Sequence, residues 1–170
     1  MEIGGWSLDQ LMELAGLSVS QAGKCKLKEI RQVADLTDSN LFSPSRGDGL
    51  VAARHLAQYG YEPSVYYPKE GKNELYQIEA ASVPVLSVDA PSSWDIEGGP
   101  PKEGPGSKFM PEYLISLTAP KPCVKYYQGR HFLGGRFLTK SITEKYGLDL
   151  PNYPGIDQIV EVGVDAEGRL

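Results

Sequence analysis

The chain has 170 residues, 41% of them apolar and 23% charged, a size and balance that fit one globular domain spanning 1–170 with a core of its own. A net charge of −5 and a pI near 5.1 argue against nonspecific nucleic-acid binding, which needs a basic face. No apolar run reaches the length of a membrane span, and Cys25 and Cys123 lack partners at metal-ligand spacing, so both read as idle thiols in a reducing compartment.

In chain order, a helix comes first, with no signal or transit segment expected before it. Residues 7–15 read SLDQLMELA: Ser7 and Gln10 form a capping box, and Leu8, Leu11, Met12 and Ala15 share one helical face. Residues 24–42 form a charged run with Leu27, Ile30, Val33 and Ala34 at helical spacing. At 43–59 the chain reads SPSRGDGLVAARHLAQY, a Gly-Asp-Gly turn opening a helix. Such a helix start presents free N–H groups and the positive end of the dipole to an anion such as phosphate. Taken alone, Gly-Asp-Gly is a weak signal and usually just a turn. Arg46-Gly47-Asp48 spells an adhesion tripeptide, read here as chance, and His55 reads as a packing or surface histidine. Gly60 ends the helix at the C′ position. A strand is expected at 62–68 and a polar loop at 69–73.

The stretch at 84–98, PVLSVDAPSSWDIEG, organises the chain. The apolar run at 83–88 fits a strand buried on both faces of a parallel sheet, and Asp89 stands at its end, followed by Pro91, Ser92 and Ser93. Ligands of open α/β sheets bind outside the carboxyl ends of the strands, so an acid in that place is a site candidate on geometry alone. It is also what a strand-terminating Asp capping its own turn looks like. A Pro/Gly loop follows at 98–107 and a strand at 113–118. Lys121, just beyond that strand, either steers an anionic ligand or is an exposed structural lysine. In GRHFLGGRF at 129–137, His131 reads as structural, and Gly134 and Gly135 permit a close backbone approach. A short helix at 142–146, an extended piece at 150–154, an edge strand at 159–164 and a frayed end complete the chain.

Several of these stretches together resemble the NAD(P)H-hydrate epimerase family, the YjeF N-terminal domain or apolipoprotein A-I-binding protein-like family. They are SLDQLMELAGLS at 7–18, GDGLVAARHL at 47–56, YEPSVYYPK at 61–69, the 84–98 stretch, PEYLISLTAPK at 111–121 and GRHFLGGRF at 129–137. In the 84–98 stretch the match is Asp89, Pro91, Ser92, Trp94, Asp95, Glu97 and Gly98, with Ala90 for an aliphatic residue and Ser93 for a glycine. The resemblance implies an α/β, three-layer Rossmann-like fold with a mostly parallel sheet and helices on both faces. It implies interconversion of the R and S epimers of hydrated NADH and NADPH, in support of a partner dehydratase that accepts one epimer. It further implies potassium as the bound ion, a homodimer, and a cytoplasmic or mitochondrial setting. Carried over residue by residue, Gly47, Asp48 and Asp89 would bind substrate, and Ser92 would offer an oxygen to potassium. No residue is assigned as the catalytic acid or base.

Two departures stand out. Pro44, Ser45 and Arg46 occupy the places of the family loop's asparagines and glycine, which should weaken phosphate and ion binding. Between the strand expected at 62–68 and the run at 83–88, about two βα units of the family are missing. The missing part includes an aspartate for potassium and a loop with acid–base groups. An alternative is therefore a non-catalytic binding or scaffold protein on the same fold. A third reading is a shortened, non-functional product of poor stability, because lost strands expose sheet edges.

Overall fold

Strand β2 (Tyr113–Leu117) consists of five buried residues in a row, YLISL, and the rest of the sheet is laid against it. The structure, a computed structural model, describes residues 6–26, 45–63 and 84–162, without the side chains of residues 25–26 and 45–48. Among the described residues β1 (Leu86–Val88), β2, β3 (Arg130–Gly134) and β4 (Ile159–Val162) form a four-stranded sheet in the order β1-β2-β3-β4. The first three are parallel, and β4 closes the edge antiparallel to β3. This is the mostly parallel α/β sheet expected. The readings of a charged helical run beyond residue 26, of the strand at 62–68 past residue 63, of a loop at 69–73 and of a frayed end from 165 lie outside the described residues; residues 62 and 63 themselves are not in a strand.

Strand periodicity sorts β2 between two cores. Tyr113, Ile115 and Leu117 point to one face with Leu86, Val88, Phe132 and Ile159. Leu114 points to the other, with Trp94, Cys123 and Tyr127. Leu114 and Ile115 are fully buried, each stabilising the fold by about 1.5–3 kcal/mol through burial alone.

The first face is covered by helix α1 (Leu8–Lys26) and helix α2 (Ser45–Gln58), which pack on each other. The capping box forms as expected: the Ser7 N–H donates to Gln10 Oε1 at 2.8 Å, and the Gln10 N–H donates to Ser7 Oγ at 3.2 Å. The helix runs well past residue 15. Gly16 is the contact with α2: a Cβ there would lie 2.5 Å from Val51 Cβ. Ser18, also buried, returns its hydroxyl to Leu14 O and accepts the Gly135 N–H at 3.1 Å, fastening α1 to the end of β3. Helix α2 ends in a Schellman motif: Gly60 has φ +86°, its N–H donates to Ala57 O, and the Tyr61 N–H reaches back to Leu56 O.

The second face carries a 3-10 helix (Pro122–Tyr126) rather than an α-helix among the described residues. Helix α3 (Lys140–Tyr146) is short, buries no residue and stops at Gly147 in the left-handed region. Across the edge pair, Arg130 and Glu161 form a bidentate ion pair at 2.6 Å, exposed enough that its net worth is about 0–1 kcal/mol.

Candidate functional site at the carboxyl ends of the strands

The carboxyl ends of β1, β2 and β3 lie side by side because the three strands are parallel. Each is followed at once by a residue with positive φ: Asp89 at 61°, Thr118 at 71° and Gly135 at 81°. Glycine takes this region freely, whereas a β-branched threonine there is an outlier. After β1 the Ala90 N–H donates to Val88 O at 2.7 Å, and after β2 the Ala119 N–H donates to Leu117 O at 2.9 Å. These are γ-turns of the rare positive-φ kind, centred on Asp89 and Thr118. Such strain persists only where the surroundings over-determine it, and it clusters at functional sites.

The surroundings of Asp89 are specific. Its N–H donates to Ile115 O at 2.7 Å. Its Oδ1 accepts the Leu117 N–H at 2.8 Å and lies 3.1 Å from Lys121 Nζ. Lys121 Nζ also donates to Leu117 O at 3.0 Å and Ala119 O at 3.3 Å. An ammonium has three donors, and all three are engaged here. Lys121 is thus a tie between β1 and β2, its ammonium taken up by groups of the two strand ends. Among the described residues Oδ2 of Asp89 has no hydrogen-bond partner, and the side chain is 36% exposed.

The loop beyond Asp89 is anchored from below. Pro91 and Ser92 are buried, and the Trp94 N–H donates to Pro91 O at 3.0 Å. Trp94 Nε1 donates to Phe109 O at 3.1 Å, so the indole is both packed and polar-satisfied. Asp95 Oδ1 accepts the N–H groups of Glu97 and Gly98, closing the DIEG turn. Ala90 packs on the Trp94, Leu114, Cys123 and Tyr127 cluster, where a small residue suffices because Val124 packs there too. Ser93, standing where the resembled family has glycine, has φ 66°. The backbone demand at that position is thus kept although the residue that meets it freely is not. Burial pushes the Cys123 thiol up, which leaves it inert at neutral pH.

Asp89 and Ser92 lie three residues apart on one loop at the carboxyl end of β1. Gly47 and Asp48 lie in the first turn of α2, whose Ala52 shares a core with Val88. Their side chains are outside the described residues. The remaining histidines behave as the sequence implies. His131 is buried, 2.9 Å from Ser116 Oγ, and His55 sits 2.9 Å from Glu13 Oε1 between α1 and α2. The Arg54 guanidinium beside Glu13 holds its carboxyl below the usual range. Two participants went unread in the sequence: Thr118, hidden inside an ordinary strand pattern, and the Leu117 N–H, which reaches Asp89 only through the pairing of β1 with β2.

An open parallel α/β sheet with a carboxylate exposed at its carboxyl edge is a ligand-binding fold of the Rossmann-like class. No protein-family model matches the chain. It is 60% identical to a protein of Aspergillus fumigatus called NAD(P)H-hydrate epimerase, over all of this chain and 92% of that one. It is 51% identical to a protein of the same name in Ajellomyces capsulatus, again over all of this chain and 92% of the other. Its fold is similar to the crystal structure of a yeast protein, YNL200c, with a TM-score of 0.71 and 27% identity over 93% of this chain and 91% of that one. The chain belongs to the NAD(P)H-hydrate epimerase family. The alignment with the Aspergillus protein spans 225 positions against 170 residues here, so that relative carries internal segments this chain lacks.

Proposed function

We propose that this chain is an isomerase that interconverts the R and S epimers of hydrated NADH and NADPH. The observation that carries the reading is the Asp89 corner, found in a chain similar from end to end to proteins called NAD(P)H-hydrate epimerase. In this reading Asp89 binds the substrate through Oδ2, and the first turn of α2 with Gly47 and Asp48 receives its diphosphate. Binding and orientation are what these residues supply; proton transfer at the hydrated nicotinamide carbon is assigned to none of them.

Potassium is part of the proposal, with Ser92 as one oxygen donor. A buried hydroxyl three residues beyond a strand-end carboxylate is a ligand type that a hard cation takes. A homodimer, a functional link to a dehydratase that consumes one epimer, and a cytoplasmic or mitochondrial setting complete the reading. No helix among the described residues is long and apolar enough to cross a membrane.

The shortfall of the chain against its aligned relatives favours one alternative, a non-catalytic binding protein on the same fold. One experiment separates the two. Purified protein is incubated with R-hydrated NADH, with and without potassium, and R-to-S exchange is followed by chromatography. Exchange faster than the spontaneous rate supports the epimerase. A cooperatively melting protein without exchange supports the alternative.

A further inference from the structure

We infer that Lys121 is a positioning residue for substrate binding: by holding Oδ1 of Asp89 it leaves Asp89 a single-oxygen acceptor, through Oδ2, for a hydroxyl or amide donor of the substrate. The inference rests on the proposed role of Asp89 in the site described above.

The geometry carries it in three steps. Oδ1 already takes two partners, the Leu117 N–H at 2.8 Å and Lys121 Nζ at 3.1 Å, which is the capacity of its two lone pairs. Lys121 is itself immobilised by Leu117 O and Ala119 O, the two carbonyl groups that flank the strained Thr118. The carboxylate plane is thereby set by the backbone of the neighbouring strand, not by the rotamer preference of Asp89. A carboxylate with one oxygen unpartnered among the described residues cannot clamp a guanidinium in two-point fashion, and its charge repels a phosphate. What it accepts well is one neutral donor in one direction. Rigid presentation of that kind favours affinity by removing the ordering cost of the acceptor.

The test is a set of variants in the intact chain: Lys121→Met, Lys121→Gln, Lys121→Arg, Asp89→Asn and the double variant Lys121→Met/Asp89→Asn. Melting is followed for each, with KM and kcat for epimer exchange. Lys121→Met is expected to raise KM about ten-fold or more, the scale of losing hydrogen bonds to a charged group, with kcat changed less than three-fold. Lys121→Arg is expected to recover most of that loss. The double variant is expected to be no worse than Asp89→Asn alone, because both changes remove one arrangement. If Lys121→Met fails to melt cooperatively, Lys121→Gln, which keeps a donor for the two carbonyls, takes its place. An unchanged KM, or single effects that multiply in the double variant, overturns the inference while leaving the epimerase reading intact. If the wild type shows no exchange, that reading falls, and the same cycle is run on the dissociation constant for NADPH. Non-multiplying losses there uphold the role of Lys121, and equal affinity across the set, or no binding at all, removes it.

Discussion

His131 Nε2 and Ser116 Oγ meet at 2.9 Å on the second face of the sheet, both side chains buried. With Tyr127 packed edge-on against the imidazole, the pair has a neutral hydrogen bond and, among the described residues, no carboxylate to hold a charge. Burial pushes the His131 pKa from the ordinary 6.5 down to about 4. Between those two values the unfolded chain binds more protons than the folded one. Stability is therefore full above about pH 6.5 and falls as pH drops toward 4, by at most about 3 kcal/mol. Urea midpoints for the wild type and His131→Gln at several pH values test this. The wild type should lose more stability through that window than the variant; parallel curves would remove His131 as the cause.

Ser93 takes a left-handed conformation at φ 66° while its side chain is exposed, so little packing is lost if it is cut back. Ser93→Gly relieves strain of about 1 kcal/mol or more, offset in part by the greater freedom of glycine in the unfolded chain. The expected gain is about 0.5–1 kcal/mol, or roughly 2–4 °C in melting temperature at the upper end. A melting temperature that stays put or drops would show that the loop beyond Asp89 is held by the serine hydroxyl instead.

Gly16 sets two effects against each other. Alanine is favoured over glycine in a helix interior by about 1 kcal/mol. A Cβ at residue 16, however, would meet Val51 Cβ and Cγ1 at 2.5 Å and the Ala52 backbone nitrogen at 3.0 Å. Two helix backbones cannot give way as a side-chain tip can, and overpacking costs about 1–3 kcal/mol. Gly16→Ala should therefore lower the melting temperature by several degrees. A rise would mean that α1 and α2 slide apart freely.

Ser92→Ala removes the proposed oxygen for potassium while sparing Asp89 and its ties. The expected outcome is a higher potassium concentration for half-maximal epimer exchange. An identical potassium response in the variant assigns the ion to other groups.

Local rules were enough to read the capping box at Ser7 and Gln10, the C′ glycine at residue 60, the buried strands within 83–88 and 113–118 and the edge strand that begins at 159, because each is decided within a few residues; β3 at 130–134 was not read as a strand. The length of α1 was not readable: the apolar face read at 7–15 covers about half of a helix that runs on to Lys26 along α2. Asp89 was legible as a strand-end acid beside a matching motif. What holds it was not, since the Leu117 N–H and Lys121 come from the neighbouring strand's end, far along the chain. The strain at Thr118 left no mark in composition, because the residue is demanded by register and not by its own preference.

The link between Ser18 and Gly135 has a further consequence. The Gly135 amide has its partner on another element, α1, so its proton can exchange with solvent only when α1 lifts from the sheet. One deuterium-exchange signal at the tip of β3 thus meters the docking of the first helix, and with it the integrity of the edge on which Asp89 stands.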